Sequence, residues 1–557
     1  LFFLSLWLML VAVRLFTRQA ERSQSLLVQK LIPVGLLALS WLLAGYVMFA
    51  DEYYFGLELL RPVFLWLILR QAYQSWRQRL VRVALAWAPY LALMAGFLYW
   101  RLVIFVSPRG QLQLFEDLAS QPLRALLNLA VKITGDLLQS SLGAWLQTLD
   151  LRNLLTLPIG LALAVLLLSL LAFGLTYFFF KGLPFEEMPA GQPEADQRQS
   201  WSTQAVLVGF FALLIGGWPF WVTDLPIDLY FPWDRFNLAM MFGASLALAG
   251  LVAWRRPKAL RRVTARQSAL ILALLAGLAT SFHIYNANLY RQEWAAQRDF
   301  FWQLAWRAPQ IKPGTLLLTS KLPFRYYSDN SLTAPLNLIY APENRTRQLD
   351  YLLYSLGARL GSRLPELKPG IPVNQPYRIV SYEGSTDAVL VFFYDPPRCL
   401  KVINPLTDQL LPGKPDGISE AAPLSRLDRI RSSPEPLILP VELFGSEPEH
   451  GWCYYYQKAE LASKNGDWAE AARLADLALA LPGELSRLKA AELLPFIEAY
   501  LRTGQWETAR LLTRSATAKN TKLAESLCPL WYTVRDSGLG DGSAYTQAIE
   551  QLHCNFP

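Results

Sequence analysis

Two apolar segments, residues 31–50 and 63–69, flank the stretch Asp51-Glu52-Tyr53-Tyr54-Phe55-Gly56-Leu57-Glu58-Leu59-Leu60-Arg61-Pro62. Charged side chains inside apolar sequence are informative, because a charge at the centre of a bilayer costs about 2.5–3.5 kcal/mol on insertion scales. Such residues usually face a polar cavity or an oppositely charged partner. The stretch predicts that Asp51 and Glu52 lie at a membrane surface and that Glu58 lies deeper. Glu58 and Arg61 are three residues apart, a spacing that lets them form a structural intramembrane pair on one helical face.

The N-terminal half of the chain is rich in apolar runs, although a bilayer-spanning helix needs about 20 mainly apolar residues and not every run is that long. Eight spans are predicted: Leu1–Phe16, Leu31–Ala50, Phe55–Leu69, Val83–Val106, Leu154–Phe180, Ala205–Val222, Phe236–Trp254 and Ser268–Tyr285. Leu1 already lies inside an apolar run, so we interpret the chain as a fragment whose upstream spans are missing. The C-terminal half reads as soluble protein.

Basic residues in short loops predict the orientation of the spans. The loop 70–82 contains four arginines and no acidic residue, and the loop 255–266 contains five arginines and one lysine. Four predicted spans separate these loops, so both can be cytoplasmic. The same count places Asp51–Tyr54, the loops 107–150 and 223–235, and everything after about residue 288 outside. The net charge of +8 is concentrated in such loops, which disfavours nucleic-acid binding.

Both long outer loops contain more than turn residues. In 107–150, leucines recur at helical spacing with Arg124, Lys132, Asp136 and Gln139 between them. This pattern predicts one or two amphipathic helices on the membrane surface, or else a helix packed on the soluble domain. In 223–235, we predict that Asp234 and Arg235 bind substrate or carrier, with Arg235 contacting an anionic headgroup. The alternative is an aromatic belt with turn-forming Asp and Pro residues.

The predicted fold is mostly α, with three domains: a multi-span domain at 1–288, an extracytoplasmic α/β domain at 289–448, and helical repeats at 449–557. For the α/β domain the sequence predicts a strand at Thr315–Thr319, helices near Ser331–Tyr340 and Arg345–Leu360, a hairpin of Tyr377–Tyr382 with Ala388–Tyr394, and a third strand at Cys399–Ile403. No nucleotide-binding or hydrolase motif occurs there.

Two related segments occur near the C-terminus: Ala462-Ser463-Lys464-Asn465-Gly466-Asp467-Trp468-Ala469-Glu470-Ala471-Ala472 and Tyr500-Leu501-Arg502-Thr503-Gly504-Gln505-Trp506-Glu507-Thr508-Ala509-Arg510. Each has a glycine for a tight turn, an aromatic residue two positions later, and alanines that let paired helices approach closely. The pattern resembles tetratricopeptide repeats, which bind peptides or stabilise neighbouring domains.

The sequence contains few cysteines and histidines that could act in catalysis or bind a metal ion. The four cysteines, all in the C-terminal half, allow three pairings: Cys399, Cys453, Cys528 and Cys554. They form one or two disulfides if this half is extracytoplasmic, or else are ordinary buried thiols. The three histidines, His283, His450 and His553, are isolated in the sequence, which disfavours histidine-based catalysis.

Any catalysis is expected to rest on outer carboxylates, with Asp51 and Glu52 as the candidate catalytic residues. A carboxylate there can act as general base toward an acceptor hydroxyl, or help to hold a divalent metal ion on a phosphate. No protein ligand set for a metal is evident in the sequence.

The layout as a whole is similar to that of the polytopic GT-C glycosyltransferases, above all the protein O-mannosyltransferases with lumenal tetratricopeptide repeats and their bacterial relatives. Asp51-Glu52-Tyr53 with Pro62 downstream resembles the acidic-then-proline stretch that follows a span in that family. The resemblance implies a plasma-membrane protein that transfers a sugar from a polyprenyl-phosphate carrier to an extracytoplasmic acceptor. In that family the leading catalytic acid follows the first span, which we expect upstream of Leu1, so no residue here receives that role.

A second hypothesis is non-enzymatic. The spans would anchor a scaffold whose C-terminal repeats, residues 449–557, bind a protein or peptide partner outside the cell. A transporter is disfavoured, because no inverted repeat is visible in the sequence. Under either hypothesis the lipid bilayer is a partner and nucleic acid is not.

Overall fold

The computed structural model describes residues 1–21, 27–105, 113–150, 155, 157–182, 193–253, 265–357, 363–377, 379–433, 437–482, 490–536 and 542–554. The chain forms two compact units, Leu1–Asn288 and Leu289–Pro557. The basic loop 255–266, on which the predicted orientation depends, lies almost entirely outside the described residues.

The first unit is helical. Its α-helices are α1 Phe2–Glu21, α2 Leu27–Ala50, α3 Leu60–Ala72, α4 Trp76–Tyr99, α5 Gln113–Ser120, α6 Pro122–Leu138, α7 Ala144–Gln147, α8 Ile159–Gly182, α9 Pro193–Val222, α10 Leu238–Ala253 and α11 Ala265–Arg307. A 3-10 helix, Glu52–Leu59, joins α2 to α3, and π-helical turns follow α4 at Trp100–Ile104 and α6 at Gln139–Gly143. The last helix, α11, continues into the second unit.

Among the described residues, six helices are long and apolar enough to cross a membrane: Leu31–Ala50, Trp76–Ile104, Ile159–Gly182, Trp201–Val222, Asp234–Ala253 and Arg266–Arg307. The prediction of a mostly α-helical chain with membrane-length helices is therefore confirmed, whereas the predicted count of eight spans is not. The apolar helix Phe2–Thr17 is shorter than this length.

The predicted span Phe55–Leu69 is wrong as a single helix. Residues 55–59 belong to the 3-10 helix, and residues 60–69 belong to α3, an α-helix of only 13 residues. The side chain of Asp51 caps the 3-10 helix by accepting a hydrogen bond from the Tyr53 backbone. Pro62 then lies in the first turn of α3, where the missing N–H of proline costs nothing. These local preferences divide the apolar run.

Close packing of α9 on α10 depends on glycines from both helices. A Cβ on Gly243 would come within 2.5 Å of the Leu213 backbone, and one on Gly209 within 2.5 Å of the Ala247 backbone. Small residues let two helix backbones approach in this way, which is a common arrangement in membrane proteins. This pair forms the centre of the first unit and holds the ends of α9 and α10 together.

The second unit contains a small central sheet. The strands are β1 Gln310–Ile311, β2 Thr315–Thr319, β3 Tyr351–Ser355, β4 Pro372–Pro376, β5 Ser381–Ser385, β6 Val389–Phe393, β7 Lys401–Val402 and β8 Ile430–Arg431. Four of them form a sheet in the order β3-β2-β6-β7, with β2 parallel to both β3 and β6. All residues of β2, β3 and β6 are buried, as is typical of parallel strands covered on both faces.

Two predictions for this region are wrong. The segment 345–360 contains strand β3 rather than a helix, because the apolar run Tyr351–Ser355 is compatible with either structure until a partner strand is present. The predicted hairpin does not form either. Strand β5 pairs with β4, while β6 lies beside β2 and β7. The strand Thr315–Thr319 lies where the sequence predicts it, and the predicted helix near 331–340 lies within the helix Asp329–Tyr340.

The helices of the second unit are α12 Asp329–Tyr340, α13 Ile418–Ala421, α14 Val441–Phe444, α15 Trp452–Lys464, α16 Trp468–Leu479, α17 Leu494–Arg502, α18 Trp506–Lys519, α19 Ala524–Val534 and α20 Gly542–Leu552. The two repeated segments form the helix pairs α15/α16 and α17/α18. Each pair turns at a glycine with positive φ, 80° at Gly466 and 77° at Gly504. Only glycine adopts this conformation without a steric cost from Cβ.

Two disulfides, Cys399–Cys453 and Cys528–Cys554, account for all four cysteines. The first joins the residues before β7 to α15. Beside it, Lys401 Nζ lies 3.2 Å from Asp408 Oδ2 and 2.9 Å from Glu460 Oε1 on α15. Sheet and helix pairs are thus linked within one unit, and the predicted domain boundary at 448/449 falls inside it.

Candidate functional site

The predicted catalytic acids both have structural partners. The carboxylate of Asp51 accepts a hydrogen bond of 3.2 Å from the Tyr53 backbone N–H. Glu52 Oε2 accepts one of 2.9 Å from Arg101 Nε, which belongs to the π-helical turn after α4. The Glu52 side chain is more exposed than that of Arg101. The two acids therefore fix the chain where α2 ends, and Glu52 keeps access to solvent.

Glu58 and Arg61 form a buried ion pair in which Arg61 Nη2 lies 2.9 Å from Glu58 Oε1. The same nitrogen donates to Ser5 Oγ at 3.0 Å, and the guanidinium lies 4.3 Å from the centre of the Tyr90 ring. Ser40 Oγ is 2.7 Å from the Tyr90 hydroxyl. These polar contacts connect α1, α2, α3 and α4. Glu58 and Arg61 neutralise each other inside the first unit, as the prediction of a structural pair requires.

Aromatic packing brings the predicted sites to one end of the first unit. The ring of Tyr53 lies 5.9 Å from that of Phe220 and 5.2 Å from that of Phe236. Asp234 and Arg235 immediately precede Phe236. Asp234 Oδ1 accepts a hydrogen bond of 3.0 Å from the Arg235 backbone, and the exposed Arg235 guanidinium lies 5.2 Å from the Phe236 ring. Asp51-Glu52 and Asp234-Arg235 therefore border the same aromatic cluster.

The amphipathic helix α6 is attached to the same end. Trp221 Nε1 donates to Asp136 Oδ2 at 2.8 Å, and Lys132 Nζ lies 2.6 Å from Asp224 Oδ1. Asp224 has a positive φ of 53°. A further hydrogen bond of 2.9 Å joins Gln139 Nε2 to Asp228 Oδ1. Polar contacts of α6 and the π-helical turn after it, with the end of α9 and the loop 223–235, therefore supplement the apolar packing.

A cleft of about 320 Å³ opens between α5, α6 and the end of α9. Its polar lining consists of Asp117, Ser120, Gln121, Arg124, Asn128, Lys132 and Asp224, and the rest is formed by Leu114, Ala125, Leu129 and Trp221. Arg124 Nη1 has a weak contact of 3.4 Å with Gln121 Oε1. Within the described part of the chain, the Asp117 carboxylate has no ion pair or hydrogen bond. The cleft thus offers an accessible cation and an accessible carboxylate.

The chemistry of this cleft suits an anionic group. Guanidinium and ammonium groups bind phosphate oxygens through charge-assisted hydrogen bonds, and a nearby carboxylate can accept a proton. Below the cleft, burial raises the pKa of Asp136, although the hydrogen bond from Trp221 and the charge of Lys132 oppose that rise. Within the described ranges, no group of three or more His, Cys, Asp or Glu side chains is arranged to hold a metal ion.

The sequence analysis did not identify Asp117 and Arg124 as site residues. A signal was present in the spacing of Arg124, Asn128, Lys132 and Asp136, which recur every four residues and therefore share one face of α6. The predicted residues Asp51, Glu52, Asp234 and Arg235 do not line the cleft. Tyr53 packs on Phe220, which directly precedes the cleft residue Trp221.

Comparison with protein-family models, with curated proteins and with solved structures finds no match to this chain.

Proposed function

We propose that this chain is a membrane glycosyltransferase of the GT-C type, which transfers a sugar from a polyprenyl-phosphate carrier to an extracytoplasmic acceptor. The observation that carries the proposal is the polar cleft beside α6. A polyprenyl-phosphate sugar has an anionic headgroup and a long apolar tail, so its site must present cations next to a lipid-facing surface. On α6, Arg124 and Lys132 line the cleft, while Leu123, Leu127 and Val131 are exposed.

The side chains divide into two roles under this proposal. Arg124 and Lys132 bind the phosphate of the donor, and Asp224 holds Lys132 in place. A carboxylate takes the proton of the acceptor hydroxyl while the hydroxyl oxygen bonds to the anomeric carbon. The bond between the sugar and the phosphate breaks at the same time, and polyprenyl phosphate leaves with the bonding electrons. Asp117, which has no structural partner within the described residues, joins Asp51 and Glu52 as a candidate for that base.

Two further features support the proposed location and class. Disulfides persist in oxidising compartments, so the two in the second unit fit an extracytoplasmic position. The helix pairs α15/α16 and α17/α18 fit the tetratricopeptide repeats of the O-mannosyltransferases that the sequence resembles.

The test uses the full-length protein in liposomes with a synthetic polyprenyl-phosphate sugar, and measures donor binding and sugar transfer separately. Arg124→Gln should weaken donor binding about tenfold or more, because a charged hydrogen bond to phosphate contributes about 1.5–3 kcal/mol. Asp117→Asn should lower the transfer rate and leave donor binding unchanged. The matched control is Arg77→Gln, an exposed arginine at the start of α4.

Wild-type donor binding by Arg124→Gln would show that the cleft is not the donor site. Asp51→Asn and Glu52→Gln test the original candidates in the same assay. Full activity in both would remove these acids from the mechanism and leave Asp117.

One observation favours the alternative of a non-enzymatic, membrane-anchored scaffold. Asp51 and Glu52 both have structural partners, a cap and an ion pair, which a purely structural role would explain. Absence of donor binding to the full-length protein would support this scaffold function.

A further inference from the structure

A short segment of the second unit exposes three aliphatic side chains. Ile438 is 79% exposed, Val441 59% and Leu443 46%. Their neighbours Leu439 and Phe444 are buried in the core of the unit, so the segment is held firmly while its other side chains point outward. We refer to residues 438–443 as the apolar shelf. Exposed apolar side chains in a cluster usually mark a contact with a partner or a membrane.

The shelf is fixed against helix α11. Trp302 Nε1 donates a hydrogen bond of 3.1 Å to the Phe444 carbonyl, and the Trp294 ring lies 6.4 Å from the Phe444 ring. Trp294 is itself 39% exposed, and Tyr290, one turn earlier on α11, is 47% exposed. The end of the shelf next to Phe444 thus lies beside the segment of α11 that carries the exposed Trp294 and, one turn earlier, the exposed Tyr290.

That segment of α11 continues a membrane-length helix. The candidate span Arg266–Arg307 has 42 residues, which corresponds to about 63 Å of helix, whereas a bilayer with its headgroups is about 40–45 Å thick. The helix is therefore longer than the bilayer, and its last turns must leave the membrane through the headgroup region. Tryptophan and tyrosine are enriched at that depth, because their rings are apolar and their N–H or O–H groups are polar.

We propose that the apolar shelf, with Tyr290 and Trp294, inserts into the headgroup region of the lipid bilayer. Glu442 is exposed between Val441 and Leu443, so attraction to anionic lipids does not drive the contact. Burial of apolar side chains does, and uncharged phosphatidylcholine is a sufficient partner. The proposal requires that α11 spans a membrane, and it does not depend on the proposed enzymatic activity.

A protein partner or a second copy of the chain fits the shelf less well. A stable protein interface buries about 800 Å² on each side, which usually involves 20–30 residues. Five exposed apolar side chains beside an acidic residue are a small patch by that measure. Continuity with a membrane-length helix therefore favours lipid.

The test places a single cysteine at Ile438, Val441 or Leu443 in three separate full-length variants and labels it with an environment-sensitive fluorophore. The four cysteines in this sequence are disulfide-bonded, so among the thiols of this sequence only the introduced one reacts. Leu406→Cys is the matched control, because Leu406 is also aliphatic and is 85% exposed elsewhere in the second unit. The proteins are placed in phosphatidylcholine nanodiscs and quenched either with doxyl-labelled lipid or with aqueous iodide.

We expect lipid quenching at the three shelf positions to exceed that at position 406 by about threefold or more, as for side chains that lie 5–10 Å deep in the interface. Iodide should quench most strongly at 406. Shelf labels that behave like the 406 label would overturn the proposal. Labels protected from both quenchers would overturn it too, because they would show that a second copy or another protein covers the shelf. Three independent positions keep the test valid if one variant does not fold.

Discussion

At the scale of single residues, burial decides how much the loss of one partner of an ion pair lowers the free energy of unfolding. Glu58–Arg61 is completely buried, whereas Glu52–Arg101 retains solvent on the Glu52 side. Removing one partner of a buried pair leaves a charge without compensation in a medium that cannot solvate it. A partly exposed pair is weakened by water, so its loss costs little. Glu52 and Glu58, the acidic partners of the two pairs, lie in the same 3-10 helix, so the pairs provide a direct comparison.

Glu58→Ala should lower the free energy of unfolding by about 3–5 kcal/mol, because it leaves Arg61 buried and unpaired. Glu52→Ala should lower it by about 1 kcal/mol or less. Unfolding in detergent, followed by helical circular dichroism, measures both. Replacing the whole pair, with Glu58→Leu and Arg61→Met together, should recover much of the loss. Equal effects of the two alanine variants would contradict the argument.

The second unit also contains ion pairs that differ in burial, those of Lys401 and Lys312. Burial by itself would lower the pKa of Lys401, but Asp408 and Glu460 outweigh it and hold that pKa well above its usual value. Lys401→Met leaves the buried Asp408 without its cation and leaves Glu460 with only Arg307, whose Nη2 lies 3.6 Å from Glu460 Oε2. It should cost about 3–5 kcal/mol. Lys312, whose pair with Asp428 at 3.0 Å is exposed, is the control. Lys312→Met should cost about 1 kcal/mol or less, and a thermal unfolding midpoint similar to that of Lys401→Met would refute the prediction.

At the scale of elements, one glycine decides how the 3-10 helix 52–59 packs. A Cβ on Gly56 would overlap the carbonyl oxygen of Ile215 on α9 and come within 3.3 Å of Pro219. The backbone of the 3-10 helix therefore lies directly on α9. Glu58 is buried only two residues later, so this contact also places the ion pair.

Gly56→Ala should destabilise the first unit by about 1–3 kcal/mol or more, because backbone must move to admit the methyl group. Gly96→Ala is the matched control: a Cβ there meets nothing within 4 Å. That change should be neutral or stabilise α4 by up to about 1 kcal/mol, since alanine has the higher helix propensity. Comparable unfolding curves for the two variants would show that the contact with α9 is loose.

The attachment of α6 should depend on pH through Asp136. Burial raises its pKa, so the folded protein holds the proton more tightly than the unfolded chain does. Its contribution to stability is present at low pH and is lost as the pH rises through the raised pKa. Asp136→Asn keeps an oxygen to accept the Trp221 hydrogen bond and carries no charge.

We therefore expect Asp136→Asn to be more stable than wild type at pH 7 and to differ less at pH 4, near the ordinary aspartate pKa of about 3.9. Unfolding midpoints between pH 4 and 8 test this. A variant that is less stable at pH 7 would mean that the attraction of Lys132 for the charged carboxylate outweighs burial.

At the scale of the whole molecule, the disulfides are confined to the second unit, because the first contains no cysteine. The Cys399–Cys453 bridge closes 54 residues and the Cys528–Cys554 bridge 26. The chain-entropy model predicts stabilisation of about 4 and about 3.5 kcal/mol. Double serine variants should lower the unfolding midpoint by corresponding amounts under oxidising conditions. Under reducing conditions they should match wild type, and a difference that persisted there would assign the effect to packing instead.

Much of the fold could be predicted because it depends on local sequence. Membrane-length helices follow from the length of uninterrupted apolar runs, and the turns at Gly466 and Gly504 follow from the unique freedom of glycine. The predictions failed where contacts between distant segments decide the secondary structure or the strand order. Strand β3 becomes a strand because it lies beside β2, and β6 joins β2 in parallel more than 70 residues along the chain.

The candidate site also depends partly on local sequence and partly on contacts between distant segments. The sequence by itself determined that acidic and basic groups collect in the loops 107–150 and 223–235, and that α6 is amphipathic, because both properties belong to short stretches of chain. Only the tertiary structure decided which groups meet. Arg101 pairs with Glu52 from 49 residues away, and Lys132 pairs with Asp224 from 92 residues away. The cleft with Asp117 and Arg124 exists only because α9 ends beside α5 and α6, a position that helix packing sets and that local sequence does not encode.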